Sequence, residues 1–541
     1  MLAKYISFFL ILFVTHSLHS EIKVIDPSSA SIPQIQVVLP EERKICLNMI
    51  VKNESKIIKR CLNSVKDIVD YVSICDTGST DNTVALIEEF MRENQIPGKI
   101  HHHVWKNFGH NRTLSATAAQ DTLKELNFDL ANTYLLLLDA DMQLEIDPSF
   151  NFLPLIADEY YILQKDDWQS YYNTRLIRAS LPWTSIGPTH EYWSCNKKIL
   201  KLNLPTLQID DRNDGGSKSD KFHRDLQLLL DGLKEEPDNV RYMFYLAQTY
   251  NCLECHDDSI KWYKKRIAAG GWFEEVWYSK LMIGTIYDAM DLWDQALHWY
   301  LEAYQSNPDR AEPLQKIACH YRENSQNHLA YLFAKQGSRI PFPNNQVLFI
   351  SRPAYEYQFD EEISIAAFYC PSFKEEGFLA ADKLVFNKKV PQYIKDQSYR
   401  NLIYYAQPLP AATYIDANLK NLQKVESTPK VTHPYYEFPR FLTSTPHLNL
   451  DDGYLLLVNE TVNSDNIEHR LHRFVFVDQN YAIQKMSRPF IFKQKGPETT
   501  HDMTFDFPAN KCLITYSMNE EKTGICTVDI KTIQSILKPL P

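Results

Sequence analysis

Two carboxylates one residue apart, in Asp139-Ala140-Asp141, follow the apolar run Tyr134 to Leu138. Where a buried strand turns into a loop, such a pair can hold a hard divalent cation on oxygen ligands. A cation there stabilises the negative charge that builds on a diphosphate leaving group. Chance alone gives roughly one or two Asp-x-Asp triplets in a chain this rich in aspartate; the apolar run before it sets this one apart. Upstream, Val51-Lys52-Asn53-Glu54-Ser55 and Cys75-Asp76-Thr77-Gly78-Ser79-Thr80-Asp81-Asn82-Thr83 bring further polar groups. Carboxylates at Glu54 and Asp76 can accept hydrogen bonds from ribose hydroxyls and a base N–H, and Gly78 lets the backbone turn tightly. In Trp105-Lys106-Asn107-Phe108-Gly109-His110-Asn111-Arg112-Thr113, Arg112 can contact a diphosphate or hold the aspartates in place, and Asn111 can cap the helix that begins there.

These residues need a scaffold that presents them at one edge. Between Lys44 and about Lys221 apolar strand runs alternate with helical stretches, as a mostly parallel sheet requires. Strands are expected at Ile45 to Val51, Tyr71 to Cys75 and Tyr134 to Leu138. Helices are expected at Lys56 to Ile68 and Thr80 to Glu93, the second capped by Ser79 or Thr80. Ligands of such sheets bind at the carboxyl ends of the strands, near the point where strand order reverses, and the polar motifs lie at those ends.

The ordered set Ile-Val-Lys-Asn-Glu, Asp-Thr-Gly-Ser-Thr-Asp-Asn-Thr, Phe-Gly-His-Asn-Arg-Thr and Leu-Leu-Asp-Ala-Asp resembles the inverting family 2 glycosyltransferases of GT-A fold over roughly Lys44 to Lys221. The resemblance implies a nucleotide-diphosphate sugar donor, commonly a uridine one. Asn53, Glu54 and Asp76 would stand near the nucleoside, and Asp139 and Asp141 at Mn²⁺ or Mg²⁺. Inverting transfer needs a general base for the acceptor hydroxyl. Ser185-Ile186-Gly187-Pro188-Thr189-His190-Glu191-Tyr192-Trp193 is similar to the family's His-Glu segment, which makes Glu191 the expected base and His190 a metal or phosphate contact. Asp166, Asp167 and Trp168 are secondary candidates for a sugar ring. Asp211-Arg212-Asn213-Asp214-Gly215-Gly216-Ser217 resembles the loop that closes over the diphosphate, with Asp211 or Arg212 where related sequences commonly carry histidine.

Behind this domain, residues 222–340 turn helical and repeat. Tyr250, Ser259, Trp262 and Tyr263 recur as Tyr287, Ala296, Trp299 and Tyr300, then as Tyr321, Ala330, Phe333 and Ala334, close to the tetratricopeptide period. A small residue stands where two helices must approach. The repeats' concave face can bind a protein or glycan acceptor or serve as a buttress. Residues 341–541 carry short strand-like runs, so this tail is expected to be mainly β, resembling part of a propeller. The fold class is therefore multidomain: an α/β Rossmann-like domain at 44–221, tetratricopeptide-like helices, then a small β-rich region. Cys252-Leu253-Glu254-Cys255-His256 matches a haem-attachment pattern but falls at the turn between two repeat helices, where a plain turn accounts for it.

The bulk numbers agree. At 541 residues the chain exceeds one core's reach, and 44% apolar with 12% aromatic residues marks a globular protein. A net charge of −11 without a long basic cluster excludes a general nucleic-acid binder. Residues 1–20 read as a signal peptide or signal anchor, placing the chain in the secretory pathway or at a membrane. The sequons at Asn53 and Asn111 fall inside donor-site motifs, where a glycan would block the site, so a cytoplasmic face stays open. Most of the ten cysteines read as buried small hydrophobes. The rival to an enzyme is a catalytically inactive transferase domain kept beside repeats that act as a binding scaffold.

Overall fold

A computed structural model describes residues 43–151, 155–166, 170–215, 220–417, 442–443, 447–450, 452–464, 467–493, 495–506, 508–518 and 522–539. Residues 1–20, expected to be a signal peptide or anchor, and Asp167, Trp168, Gly216 and Ser217 lie outside them. Two compact units emerge: Met1–Ile186 with Tyr192–Lys218, and Gly187–Glu191 with Ser219–Pro541. The expected order of α/β region, helical repeats and β-rich end is present.

In the first unit, β1 (Lys44–Val51), β2 (Tyr71–Asp76), β3 (Gly98–His102) and β4 (Thr133–Leu137) run parallel in the order β3-β2-β1-β4. β5 (Met142–Ile146), β6 (Glu159–Lys165), β7 (Ser170–Arg178) and β10 (Lys201–Asp211) extend this sheet as β4-β7-β6-β10-β5. β8 (Trp183–Ile186) and β9 (Tyr192–Cys195) form a separate hairpin. All of β2 and β4 is buried, which their unbroken apolar character requires of central parallel strands.

β1 shows how the sheet is covered. Ile45, Leu47, Met49 and Val51 join one core with Ile58, Cys61, Leu62 and Val65 of α1 (Ile58–Val65) and Ile87 and Phe90 of α2 (Thr83–Asn94). The alternate residue Cys46 packs with Ala116, Ala119 and Leu123 of α3 (Phe108–Glu125). Period-2 alternation thus sends β1's side chains to helices on opposite faces. On the α3 side buried Asn48 donates to Ser73 O, Ser115 O and Ser115 Oγ, so no polar atom of that amide's NH₂ is stranded.

Two capping expectations are corrected. α3 is capped by Asn107, in extended conformation, whose side chain accepts from His110 N at 2.8 Å; Asn111 already sits inside the first turn. α2 begins after Asn82 rather than Ser79 or Thr80, and Asp81 accepts from Thr83 N at 3.0 Å. Asn107, one position before the helical run, reaches an orphan amide of α3's first turn, whereas the α2 cap Asn82 makes no side-chain hydrogen bond and Asp81 before it serves Thr83 N.

The second unit opens with α4 (Lys221–Glu235), followed by the pairs α5 (Val240–Cys252) and α6 (His256–Ala269), α7 (Phe273–Ala289) and α8 (Trp293–Ser306), and α9 (Glu312–Glu323) and α10 (Asn327–Gly337). Ser259, Ala296 and Ala330 are fully buried at the repeat's small position. Gly284 makes the same point: a Cβ there would lie 2.7 Å from the Tyr300 ring, so α7 and α8 meet only over glycine.

Beyond residue 341 the structure departs from the expected β pattern. α11 (Phe359–Ala366), α12 (Lys374–Phe386) and α13 (Gln392–Tyr405) come first, and strands begin at Gln407. The aromatic and proline content of this stretch masks a helical burial period, seen in α12 as Phe378, Ala381, Leu384 and Val385. The strands then form an eight-stranded and a four-stranded sheet that share one core, including Leu457, Phe474, Ile514 and Val528. Among the described residues no helix is long and apolar enough to cross a membrane.

Candidate functional site

β1 pairs with β2 on one side and β4 on the other, all parallel, so strand order reverses at β1 and opens a crevice beyond the carboxyl ends. Asn53 and Glu54 follow β1, Asp76 ends β2, and Asp139 and Asp141 follow β4. One edge therefore collects five of the expected residues.

The first two loops are laced together. Asn53 has φ +57°, a left-handed conformation that asparagine tolerates better than most side chains. Its N–H donates to Ser79 Oγ at 3.0 Å, and its Oδ1 accepts from Thr80 N at 2.7 Å. Glu54 N donates to Thr83 Oγ1, and Ser55 N to Asp81. Asp76 is buried and accepts from Gly78 N and Ser79 N, while Gly78 makes the turn at φ +106°. His102 Nδ1 stands 3.4 Å from the other face of this carboxylate. Asn53 thus works as a loop fastener, and Asp76 as the anchor of its own turn.

At the end of β4, Asp139 is clamped. Arg112 Nη2 lies 2.7 Å from Oδ1 and Arg175 Nη1 3.5 Å from Oδ2. Burial alone would raise this pKa; the charges and hydrogen bonds of Arg112 and Arg175 outweigh it and hold the carboxyl below its ordinary value. A quarter of the Asp139 side chain stays exposed. Arg175, from β7, is itself buried, and its Nη2 donates to Gln164 Oε1 at 2.8 Å; Gln164 in turn donates to Asp211 Oδ2 at 2.8 Å. Three strands therefore fix one carboxylate's orientation.

Asp141 is buried, and the segment after β10 closes on it. Arg212 N donates to Asp141 O at 3.2 Å. A Cβ on Gly215 would stand 3.1 Å from Asp141 Oδ2 and 3.6 Å from Glu54 Oε1, so only a bare backbone passes between these carboxylates. Arg60 of α1 grips Asp214 through both its terminal nitrogens at 2.7 and 2.6 Å, which pins the segment down. Asp211 is occupied by Gln164, and Arg212 Nη2 pairs with Asp210 at 2.7 Å. Asp166 lies just past β6.

Asn111 has no exposed surface. Its Oδ1 accepts from Lys106 N and its Nδ2 donates to Val104 O, so it braces the entry to α3. The sequon residue Asn459 is buried as well and donates to Thr500 Oγ1.

His190 and Glu191 stand in the loop of the β8–β9 hairpin, which clusters with the helical unit. His190 has φ +50°, stacks on Tyr245 at 4.1 Å between ring centroids, and its carbonyl accepts from Arg241 Nη2 at 2.9 Å. Desolvation of the ring, with Lys221 and Arg241 adding and Asp225 opposing, lowers its pKa to about 4, so the imidazole is neutral at pH 7. Cys252 and Cys255 flank a tight turn between α5 and α6, as expected, with Glu254 at φ +58°.

Sequence reading missed Arg175, Gln164 and Arg60. Each lies far along the chain from the carboxylate or arginine it serves, and no local motif marks it.

The family model for glycosyl transferase family 2 matches residues 46–202. Glycosyltransferase SunS of Bacillus subtilis is 25% identical over 240 residues, covering 41% of this chain and 53% of SunS. The chain thus spans about half the length of that curated relative. A TPR repeat-containing protein of Synechococcus elongatus is 33% identical over 105 residues, 19% of this chain and 22% of that protein. The solved structure of S. aureus TarS in complex with UDP, 14% identical, covers 48% of this chain and 91% of its own, with a TM-score of 0.25 that carries no argument. On the motifs, the strand order and the family match, residues 46–202 are a family 2 glycosyltransferase domain fused to tetratricopeptide-like helical repeats.

Proposed function

We propose that this protein transfers a sugar, with inversion, from a nucleotide-diphosphate sugar, commonly a uridine one, to a glycan or protein acceptor. The observation that carries the reading is the convergence of Glu54, Asp76, Asp139 and Asp141 at the ends of β1, β2 and β4, where strand order reverses. In this reading Asp76 and Glu54 accept from the nucleoside, and Asn53 holds their two loops in register.

Among the described residues no three His, Cys, Asp or Glu side chains gather into a metal cluster. Two carboxylates therefore fit a divalent cation only if diphosphate oxygens complete its shell, as is usual for Mg²⁺ at phosphate sites. Asp139 and Asp141 are the residues that would hold it, with Arg112 and Arg175 fixing the orientation of Asp139. When bound, Mn²⁺ or Mg²⁺ would stabilise the charge of the departing diphosphate. Arg112 and Arg175 orient Asp139, and Gly215 leaves room beside Asp141. Glu191 is the proposed base and His190 a neutral neighbour; both roles rest on the likeness to the family's His-Glu segment.

A panel of nucleotide sugars tests the reading. Thermal stabilisation of the full chain by one of them, increased by Mn²⁺, with product formation from an added acceptor, is expected. Binding without turnover would favour the scaffold alternative. Glu191→Gln should lower turnover while leaving donor binding intact; unchanged turnover removes Glu191 from the mechanism.

A further inference from the structure

A segment of the chain that follows the repeats is hydrogen-bonded to their buried charged side chains. Between α10 and the π-helical turn Ala354–Gln358 that leads into α11, Gln346 to Ser351 has no regular structure and contacts α5, α7 and the start of α9. Its amides and carbonyls are gripped one after another. Glu274, in the first turn of α7, accepts from both Val347 N at 2.9 Å and Leu348 N at 2.7 Å. Arg310, just before α9, donates to Leu348 O at 3.1 Å and Phe349 O at 3.2 Å. Glu312 Oε1 accepts from Ser351 N at 3.1 Å. Glu274, Arg310 and Glu312 are all buried. Buried charges aimed at main-chain groups read the backbone of whatever occupies the groove, without regard to its side chains.

Side chains add selectivity. Gln346 and Asn307 exchange amide hydrogen bonds at 3.0 and 3.4 Å. Leu348 enters the core formed by Phe244 of α5 and Ile283 and Ile286 of α7. Phe349 leans on Tyr278 with 4.8 Å between centroids. Gln346 and Leu348 are buried while Val347 and Phe349 are exposed, and the backbone bends at Phe349, whose φ is +46°.

We propose that the repeats form a peptide-binding groove whose resident is the chain's own Gln346–Ser351. A protein partner then engages it only as a peptide that displaces the resident and follows its course, including the bend after leucine, matching its pattern of an amide side chain followed two residues later by leucine. Tethering by short loops gives the resident an effective concentration on the order of millimolar, so peptides offering backbone contacts alone lose the competition. This site is independent of the transfer reaction.

The test uses the full chain and a labelled synthetic peptide of residues 343–352. Gln346→Gly with Leu348→Gly weakens the resident and leaves the groove walls intact; this variant should bind the peptide about tenfold or more tightly than the parent. Adding Glu274→Ala should abolish that gain. Equal binding to parent and variant, no binding by a variant with a parent-like thermal transition, or binding that survives Glu274→Ala overturns the proposal. Amide exchange in the unmodified chain is the second measurement: Val347 and Leu348 should exchange about tenfold or more slowly than in the free peptide. Exchange as fast as in the free peptide overturns it too.

Discussion

The two units handle charge in opposite ways. In the α/β unit, carboxylates and guanidiniums gather at one end of the sheet, some of them buried, and Asp139 is bonded by two arginines yet a quarter of its side chain stays open. In the repeats, Arg266–Glu275 at 2.9 Å is sealed, and this arginine has no exposed surface. A sealed pair satisfies itself and its neighbouring backbone and has little left for a soluble ligand. An open, over-charged cluster retains the capacity to meet one. The same residue types are therefore structural in one unit and chemical in the other, and the difference is set by what surrounds them.

The sharpest way to break this contrast is to remove one member of a sealed pair. Arg266→Ala should cost about 3 kcal/mol, because Glu275 is left buried with only the more distant Arg241 at 3.8 Å, whereas Arg266→Met with Glu275→Leu should cost much less. Denaturant midpoints measured at constant m-value decide it; equal losses would mean the pair is not coupled. Next in size, Asp141→Ala should lower transfer by about two orders of magnitude or more while leaving the thermal transition in place. Unchanged transfer would sink the metal role.

A subtler change comes from Arg112→Met. With that charge gone, burial gains the upper hand and the Asp139 pKa rises. The carboxylate is ionised above its folded pKa and is lost as pH falls through it, so the acid limb of the pH–rate profile should move to higher pH. A limb that stays in place would assign it to another group. The smallest effect belongs to Asn53. Asn53→Gly keeps the turn, since φ +57° suits glycine, and loses only the exposed Oδ1 bond from Thr80 N, about 0.5–1 kcal/mol, while Asn53→Val should lose about 1–2 kcal/mol more in thermal unfolding. If both behave alike, the left-handed turn is not what the residue supplies.

Much of the α/β unit was legible because its signals are local. An apolar run followed by a polar loop marks a strand end, and four such signals in order give both the fold and the edge where ligands bind. The caps were less legible: Asn107 and Asn111 both fit a helix start, and only the path of the chain decides which one meets the first-turn amides. The helices between residues 359 and 405 were hidden because aromatic residues suit a buried helix face as well as a strand. The clamp on Asp139 was illegible for a different reason. Arg175 sits 36 positions beyond it in sequence, and nothing in the neighbourhood of either residue announces the pairing.

The sequence by itself determined which strands end in carboxylates and that helices repeat behind them, since short-range patterns of burial and turning are enough for that. Tertiary structure alone decided which charges are spent and which remain available. It turned Asn53 and Asn111 into braces, enclosed Asp139 between two arginines, left Asp141 against the bare backbone of Gly215, and laid Gln346–Ser351 into the repeats. A charge's role depends on the distances and burial around it, and those exist only once distant segments have packed.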